Sequence, residues 1–356
     1  MINNGRGERR GFWPGNPVDE TKEIYYKHFG IIESKKNVSE QAKKATQVFT
    51  TKTGDADLQL AKKLKSDLVW ISPELDLSSY KSPDGKPMWD FYNGKERTHL
   101  TEPGVFAECE DVKEVEAFDW PNPDYLDFTN FQAEVDAAID EDKAVIGGMW
   151  MPFFHVVSDF FGMDNYFIKM YTDPDVVQAV TEKVVDFYLK ANKRCLSLVK
   201  EKMSAGFFGN DFGSQRDLLI SPECFETFIF PYYRKIISTI KEQDLPVLTH
   251  SCGAISRIIP SLLDCGIDGL HPLQANAVGM DAESLAKEYK DDLVFFGGVD
   301  TQQLLPFESP EKVKSEVLRL KKVFGERYIV SPSHEALLPN VSIENVLAMV
   351  DAVHTD

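Results

Sequence analysis

Short, almost wholly apolar runs alternate through most of this chain with longer segments whose apolar residues recur every three or four positions. The runs lie at 67–73, 144–150, 206–211, 246–250, 267–272, 293–300 and 328–332. Runs of this length without polar alternation fit strands covered on both faces, as in a parallel sheet. The segments between them open on helix caps: Asp173 before Pro174, Ser221-Pro222-Glu223, Ser309-Pro310-Glu311, and Ser342. The longest covers about 173–203, with Val177, Val180, Val184, Tyr188, Cys195 and Val199 as its inner stripe.

Alternating strands and helices imply βα units. A doubly wound sheet would carry a Gly-rich phosphate turn after its first strand, and neither that turn nor a Walker motif is present. Six or more βα units, each ending its strand in polar residues, predict a (β/α)8 barrel, a TIM-type α/β fold. Residues 1–60 are polar and broken by Gly, Pro and Asn around one helical stretch at 19–29. They are expected to form an N-terminal extension packed on a barrel spanning 61–356. No repeat or low-complexity linker interrupts the chain.

In such a barrel the carboxyl ends of the strands form the open mouth. That face gathers Trp150, His155, Asp211, His250, Cys252, His271, Gln274, Asp300, Ser331, Ser333, His334 and Glu335. Within Thr249-His250-Ser251-Cys252-Gly253, His250 and Cys252 stand two apart on extended backbone and point the same way. Imidazole nitrogen and sulfur suit a soft metal such as zinc; the alternative is a backbone-satisfied histidine beside an inert core cysteine. Asp211 ends an otherwise uncharged strand, where it orients a ligand, holds metal or transfers a proton, or else caps its turn or pairs with Arg216. His334 faces the same mouth as a ligand, proton carrier or substrate donor, unless it is simply an exposed loop residue. His271, before Pro272, either joins them or merely finishes its strand.

Composition narrows the setting. A net charge of -18 disfavours nucleic acid and anionic membrane surfaces. No apolar run is long enough to span a bilayer, the first residues lack a secretion signal, and five scattered cysteines form no disulfide framework, so a cytoplasmic protein is expected. One local exception to the acidity is Arg6, Arg9 and Arg10, followed by Phe12-Trp13-Pro14-Gly15-Asn16-Pro17, which can fold over a pocket mouth.

Several motifs occur in order: Asn210-Asp211-Phe212-Gly213, Leu219-Ile220-Ser221-Pro222-Glu223 with Phe230-Pro231-Tyr232, His250-Ser251-Cys252-Gly253, Cys265-Gly266-Ile267-Asp268-Gly269-Leu270, Gly297-Gly298-Val299-Asp300, and Asn345. Over about 100–353 the chain resembles the uroporphyrinogen decarboxylase superfamily, whose fold is a (β/α)8 barrel. The resemblance implies one of two chemistries. The decarboxylases use no metal and begin with a segment close to Arg-Gln-Ala-Gly-Arg, which this chain lacks. The other branch comprises zinc-dependent methyltransferases of corrinoid systems, whose His-x-Cys ligands match His250 and Cys252.

That branch takes its third ligand from a Cys after the last strand; here the region reads Ser331-Pro332-Ser333-His334-Glu335, leaving His334 or Glu335 to replace it. The resemblance therefore implies a methyltransferase with zinc on His250, Cys252 and Glu335, and with Asp211 and His334 in catalysis. Substrate contacts are expected from Arg6, Arg10, Trp150, Arg216, Gln274 and Asp300. Its partners would be a small corrinoid protein carrying the methylcorrinoid and a small thiol or methyl donor, with a homodimer also expected. The alternatives are a cofactor-free decarboxylase and a non-catalytic barrel that binds the corrinoid protein.

Overall fold

The computed structural model describes residues 9–32, 54–75, 79–92 and 98–355. Its strands are β1 (Gly11–Phe12), β2 (Leu68–Ile71), β3 (Ala144–Gly147), β4 (Met203–Gly209), β5 (Val247–His250), β6 (Gly269–Leu273), β7 (Val294–Val299) and β8 (Tyr328–Pro332). They form one sheet in the order β1-β8-β7-β6-β5-β4-β3-β2, every pair parallel. Helices follow the strands and surround them, giving a nearly closed TIM-type (β/α)8 barrel. Seven strands coincide with the apolar runs.

The eighth, β1, lies inside the segment read as an extension. Residue 60 is therefore not the edge of the barrel. Gly11 and Phe12 pair with Ile329 and Val330 of β8. Two residues carry too little hydrophobic pattern to announce a strand; the partner dictates the pairing.

Between β1 and β2 no ladder forms, and Asp67 bridges the seam. Its backbone N–H donates to the Phe12 carbonyl at 2.9 Å, while its Oδ2 accepts from Phe12 N at 2.8 Å. Arg9 grips the same carboxylate with two nitrogens, at 2.6 and 2.7 Å. The planar guanidinium matches both oxygens at once.

Strand residues two apart share a face. One set packs outward against the helices; the other fills the barrel with Trp13, Trp70, Trp150, Phe207, Leu248 and Phe296 among others. Burying each such side chain stabilises the fold by about 1.5–3 kcal/mol. This inner layer is the floor of the mouth. The long helix Pro174–Val199 forms as its stripe predicts, with all six stripe residues buried, but Asp173 does not cap it: its carboxylate accepts from Lys169 Nζ and Thr172 Oγ1 instead. Ser221, Ser309 and Ser342 each accept a backbone N–H as N-caps. No described helix is long and apolar enough to cross a membrane, and the five cysteines are free.

Because Asp67 carries most of the polar stitch across the seam, with only the Ser66 hydroxyl at 3.5 Å from the Phe12 carbonyl beside it among the described residues, Asp67→Ala should cost about 2–3 kcal/mol in urea denaturation. It should also speed amide exchange at Phe12 and Trp13. An unchanged midpoint would show that β1 is held by β8 alone.

Candidate active site at the barrel mouth

Leu248 points inward from β5, so His250, two residues on, does too; Gly269 and His271 repeat the relation on β6. His250 and His271 are register partners, and their Nδ1 atoms lie 3.0 Å apart. His250 Nε2 faces the other way, 3.4 Å from Cys252 Sγ and 3.2 Å from Asp211 Oδ1. Trp150 and Phe207 pack edge-on to the His250 ring.

The loop after β5 is clamped from two sides. Asp211 Oδ1 accepts from Cys252 N at 3.0 Å, and Gln274 Oε1 accepts from Gly253 N at 2.6 Å. Gly253 has φ +90°, and a Cβ there would stand 2.2 Å from the Gly213 carbonyl oxygen, so only glycine fits. His155 Nε2 accepts from Asp211 N at 2.9 Å and fixes the β4 end in turn.

Glu335 reaches the site from the loop after β8. Asn16 N donates to its carbonyl at 2.7 Å, and Gly15, at φ +84°, lies so close that a Cβ would be 2.6 Å from that oxygen. The segment after β1 thus braces the residue that closes the mouth. Glu335 is 4% exposed, and its Oε2 has no hydrogen-bond partner among the described residues. The nearest ring nitrogens are His334 Nδ1 at 3.6 Å and His250 Nδ1 at 3.8 Å. His334 Nδ1 accepts from Ala336 N, so its neutral ring carries the proton on Nε2.

These groups titrate against one another. Burial disfavours the His250 cation, but Glu335, Cys252 and Asp211 outweigh it and hold its pKa well above the ordinary value. Burial raises Asp211, yet His250, His155 and the Cys252 N–H prevail and keep it well below the usual carboxylate range. Burial also pushes the Cys252 thiol up to about 12, only partly offset by His250. His271 is held well below the usual imidazole range by burial and then by the charge on His250 and His334.

Three overlapping triads bring possible metal-ligating atoms within 4.8 Å of one another: Asp211/His250/Cys252, His250/His271/Glu335 and Cys252/His334/Glu335. Sulfur, imidazole and carboxylate together suit zinc. The buried, donorless Glu335 oxygen is what a cation would satisfy. The residues present fit the metal. In one respect the arrangement differs from expectation: the triad containing both His250 and Cys252 is completed by Asp211. Glu335 meets Cys252 beside His334, and meets His250 on its Nδ1 side.

Other expected residues land elsewhere. Arg10 is at the opposite end of the barrel, its Nε bonded to the Gly325 carbonyl at 2.7 Å just before β8, so it cannot hold a substrate at the mouth. Its position just before β1 puts it at the amino end of a strand. Arg6 lies outside the described residues. Asp300 is occupied as a cap: its oxygens accept from Asn276 Nδ2 and from the backbone N–H groups of Gln302, Gln303 and Leu304. Arg216 is exposed on the loop after β4 and leaves Asp211 to His250. Trp150 is a wall of the site and Gln274 a backbone anchor. Of the two readings the sequence left open for His271, the structure takes the first: it joins the group at the mouth, its ring against that of His250.

The uroporphyrinogen decarboxylase (URO-D) family model matches residues 93–355. A uroporphyrinogen decarboxylase of Chlorobaculum tepidum is 26% identical over 223 residues, 58% of this chain and 57% of that protein. One from Christiangramia forsetii is 24% identical over 188 residues, 51% of this chain and 49% of that protein. A methylated-thiol–coenzyme M methyltransferase of Methanosarcina mazei is 26% identical over 266 residues, 72% of this chain and 65% of that protein. The chain thus spans about half to two thirds of the lengths of these relatives. A solved methyltransferase from Methanosarcina mazei shares the fold, with a TM-score of 0.66 at 15% identity, covering 99% of this chain and 95% of that one. With the family model spanning well over half the sequence, this chain belongs to the uroporphyrinogen decarboxylase family.

Proposed function

We propose that this chain is a methyltransferase of a corrinoid-dependent system, with zinc held by His250 and Cys252 and with Asp211, which completes their triad, as the third donor in place of the expected Glu335. The observation that carries the reading is the pairing of His250 Nε2 with Cys252 Sγ at 3.4 Å, with Asp211 Oδ1 3.2 Å from the same nitrogen. Kinship with the Methanosarcina mazei methyltransferase supports the reaction class. Bound there, zinc lowers the pKa of a thiol acceptor or polarises the heteroatom of a methyl donor.

The chain's own residues supply the rest. Asp211 and Gln274 fix the backbone of the Cys252 loop, so the thiol stays in place as substrate comes and goes. The aromatic floor of Trp150, Phe207 and Phe296 keeps water from beneath the site. His334, part-exposed with its proton on Nε2, is placed to donate to an incoming thiol or leaving heteroatom. Methylcorrinoid, the co-substrate, arrives on a small partner protein that docks over the mouth.

A second reading is a cofactor-free decarboxylase, supported by the names of several relatives. In that chemistry Asp211 would stabilise the cationic ring and arginines would hold the carboxylates. Against it, Arg9 and Arg10 are engaged at the far end of the barrel. Carbon dioxide release from a porphyrinogen by the purified protein would establish it.

Elemental mass spectrometry of purified protein should find about one zinc per chain, falling well below that in His250→Ala and Cys252→Ala. Little zinc in the wild type, unchanged in His250→Ala, would sink the metal reading. The raised thiol pKa gives a further test on chelator-treated protein. Below a pKa of about 12 the Cys252 thiol stays protonated, so its alkylation by iodoacetamide should be slow at pH 8 and keep rising beyond pH 10. Peptide mass spectrometry reads it residue by residue; a plateau near pH 9 would mean that burial does not dominate this thiol.

A further inference from the structure

His271 is 0% exposed and boxed by aromatic rings, with centroids 5.5 Å from Trp13, 5.5 Å from Phe207 and 4.6 Å from Phe296. Its Nε2 has no partner among the described residues, and its one polar contact is the Nδ1 of His250 at 3.0 Å. An imidazole in such a box carries a desolvation penalty that a leucine or phenylalanine of similar size would avoid. Packing does not explain the residue; the contact with His250 does.

Two imidazoles facing each other Nδ1 to Nδ1 share one proton between them. For His250 Nε2 to offer its lone pair beside Cys252, the His250 proton must sit on Nδ1, and that N–H needs an acceptor. Glu335 Oε2, at 3.8 Å, is beyond hydrogen-bond reach. His271 Nδ1 is within it, fixed by register pairing of β5 with β6 and by the rings around it.

We infer that His271 is a positioning residue that locks His250 as the Nδ1-protonated tautomer, presenting Nε2 toward Cys252 for a divalent cation. The inference rests on the zinc reading above. Ligating histidines are commonly oriented this way by carboxylates or carbonyls. Here the acceptor is a neutral ring, which fixes the tautomer without adding negative charge behind the ligand. The cation is thereby left a stronger Lewis acid than a carboxylate partner would allow.

The test compares wild type, His271→Leu and His271→Asn by chelator competition for zinc and by the d–d absorption of the cobalt(II)-substituted protein. The Leu variant removes the acceptor and should bind zinc about 10–100-fold more weakly, with a shifted cobalt band. The Asn variant sets Oδ1 near the lost Nδ1 and should return to within roughly threefold of wild type. Should His271→Leu fail to fold, His271→Phe, an aromatic in an aromatic box, takes its place. In wild type labelled with 15N-histidine, the zinc form should show one imidazole protonated at Nδ1 and metal-bound at Nε2. Equal zinc affinity and unchanged cobalt spectra in the apolar variants would overturn the positioning role while leaving the zinc reading standing. A wild type that binds no zinc would overturn both.

Discussion

Asp67 joins the first strand to the second, and nearly everything at the mouth follows from that closure. A parallel sheet left open at β1 and β2 would expose unpaired backbone on both edges and let water into its inner face. With the ring drawn shut by Asp67 and Arg9, Trp13 just after β1 and the inward residues of β2 to β5, β7 and β8 pack into one apolar layer, and His271 of β6 lies against its rings. That layer gives the strand ends a rigid floor. Closure also places Trp13 inside the barrel and carries the following segment over Glu335, so a contact at the amino end of the strands helps to define the chemistry at the carboxyl end.

The mouth itself concentrates titratable groups where water is scarce. Asp211, His250, His271 and Glu335 would each be costly to bury alone; together they divide charge, with Asp211 held ionised and His271 held neutral. Glu335 Oε2 faces His334 and His250 at 3.6 and 3.8 Å but has no hydrogen-bond donor among the described residues. A buried carboxylate near a thiol is the kind of place that the proposed cation would take. The clamps on the Cys252 loop by Asp211 and Gln274 are consistent with that, because a ligand loop must hold its shape before metal arrives.

Much of the architecture was legible because the seven long strands are apolar on both faces, and the helices at 222, 310 and 343 begin with serine caps. Period and cap chemistry are local, so a linear reading finds them. His250, Cys252 and Asp211 were legible for the same reason: each sits at a strand end. The two-residue β1 was not, since nothing local distinguishes Gly11-Phe12 from loop until β8 pairs with it. Asp300, by contrast, looked like a substrate contact at a strand end and proved to be a cap, because what a carboxylate does depends on which backbone N–H groups the following turn aims at it.

The sequence by itself determined the barrel, the direction its strands run and the identity of the His-x-Cys pair, since these depend on residue type and spacing along one chain. Only the tertiary structure decided who meets whom across strands. Register set His271 against His250, ring closure sent Arg10 to the far end, and the brace from Gly15 and Asn16 brought Glu335 over the site. Such contacts join residues tens to hundreds of positions apart, and their energy exists only once the barrel has closed around them.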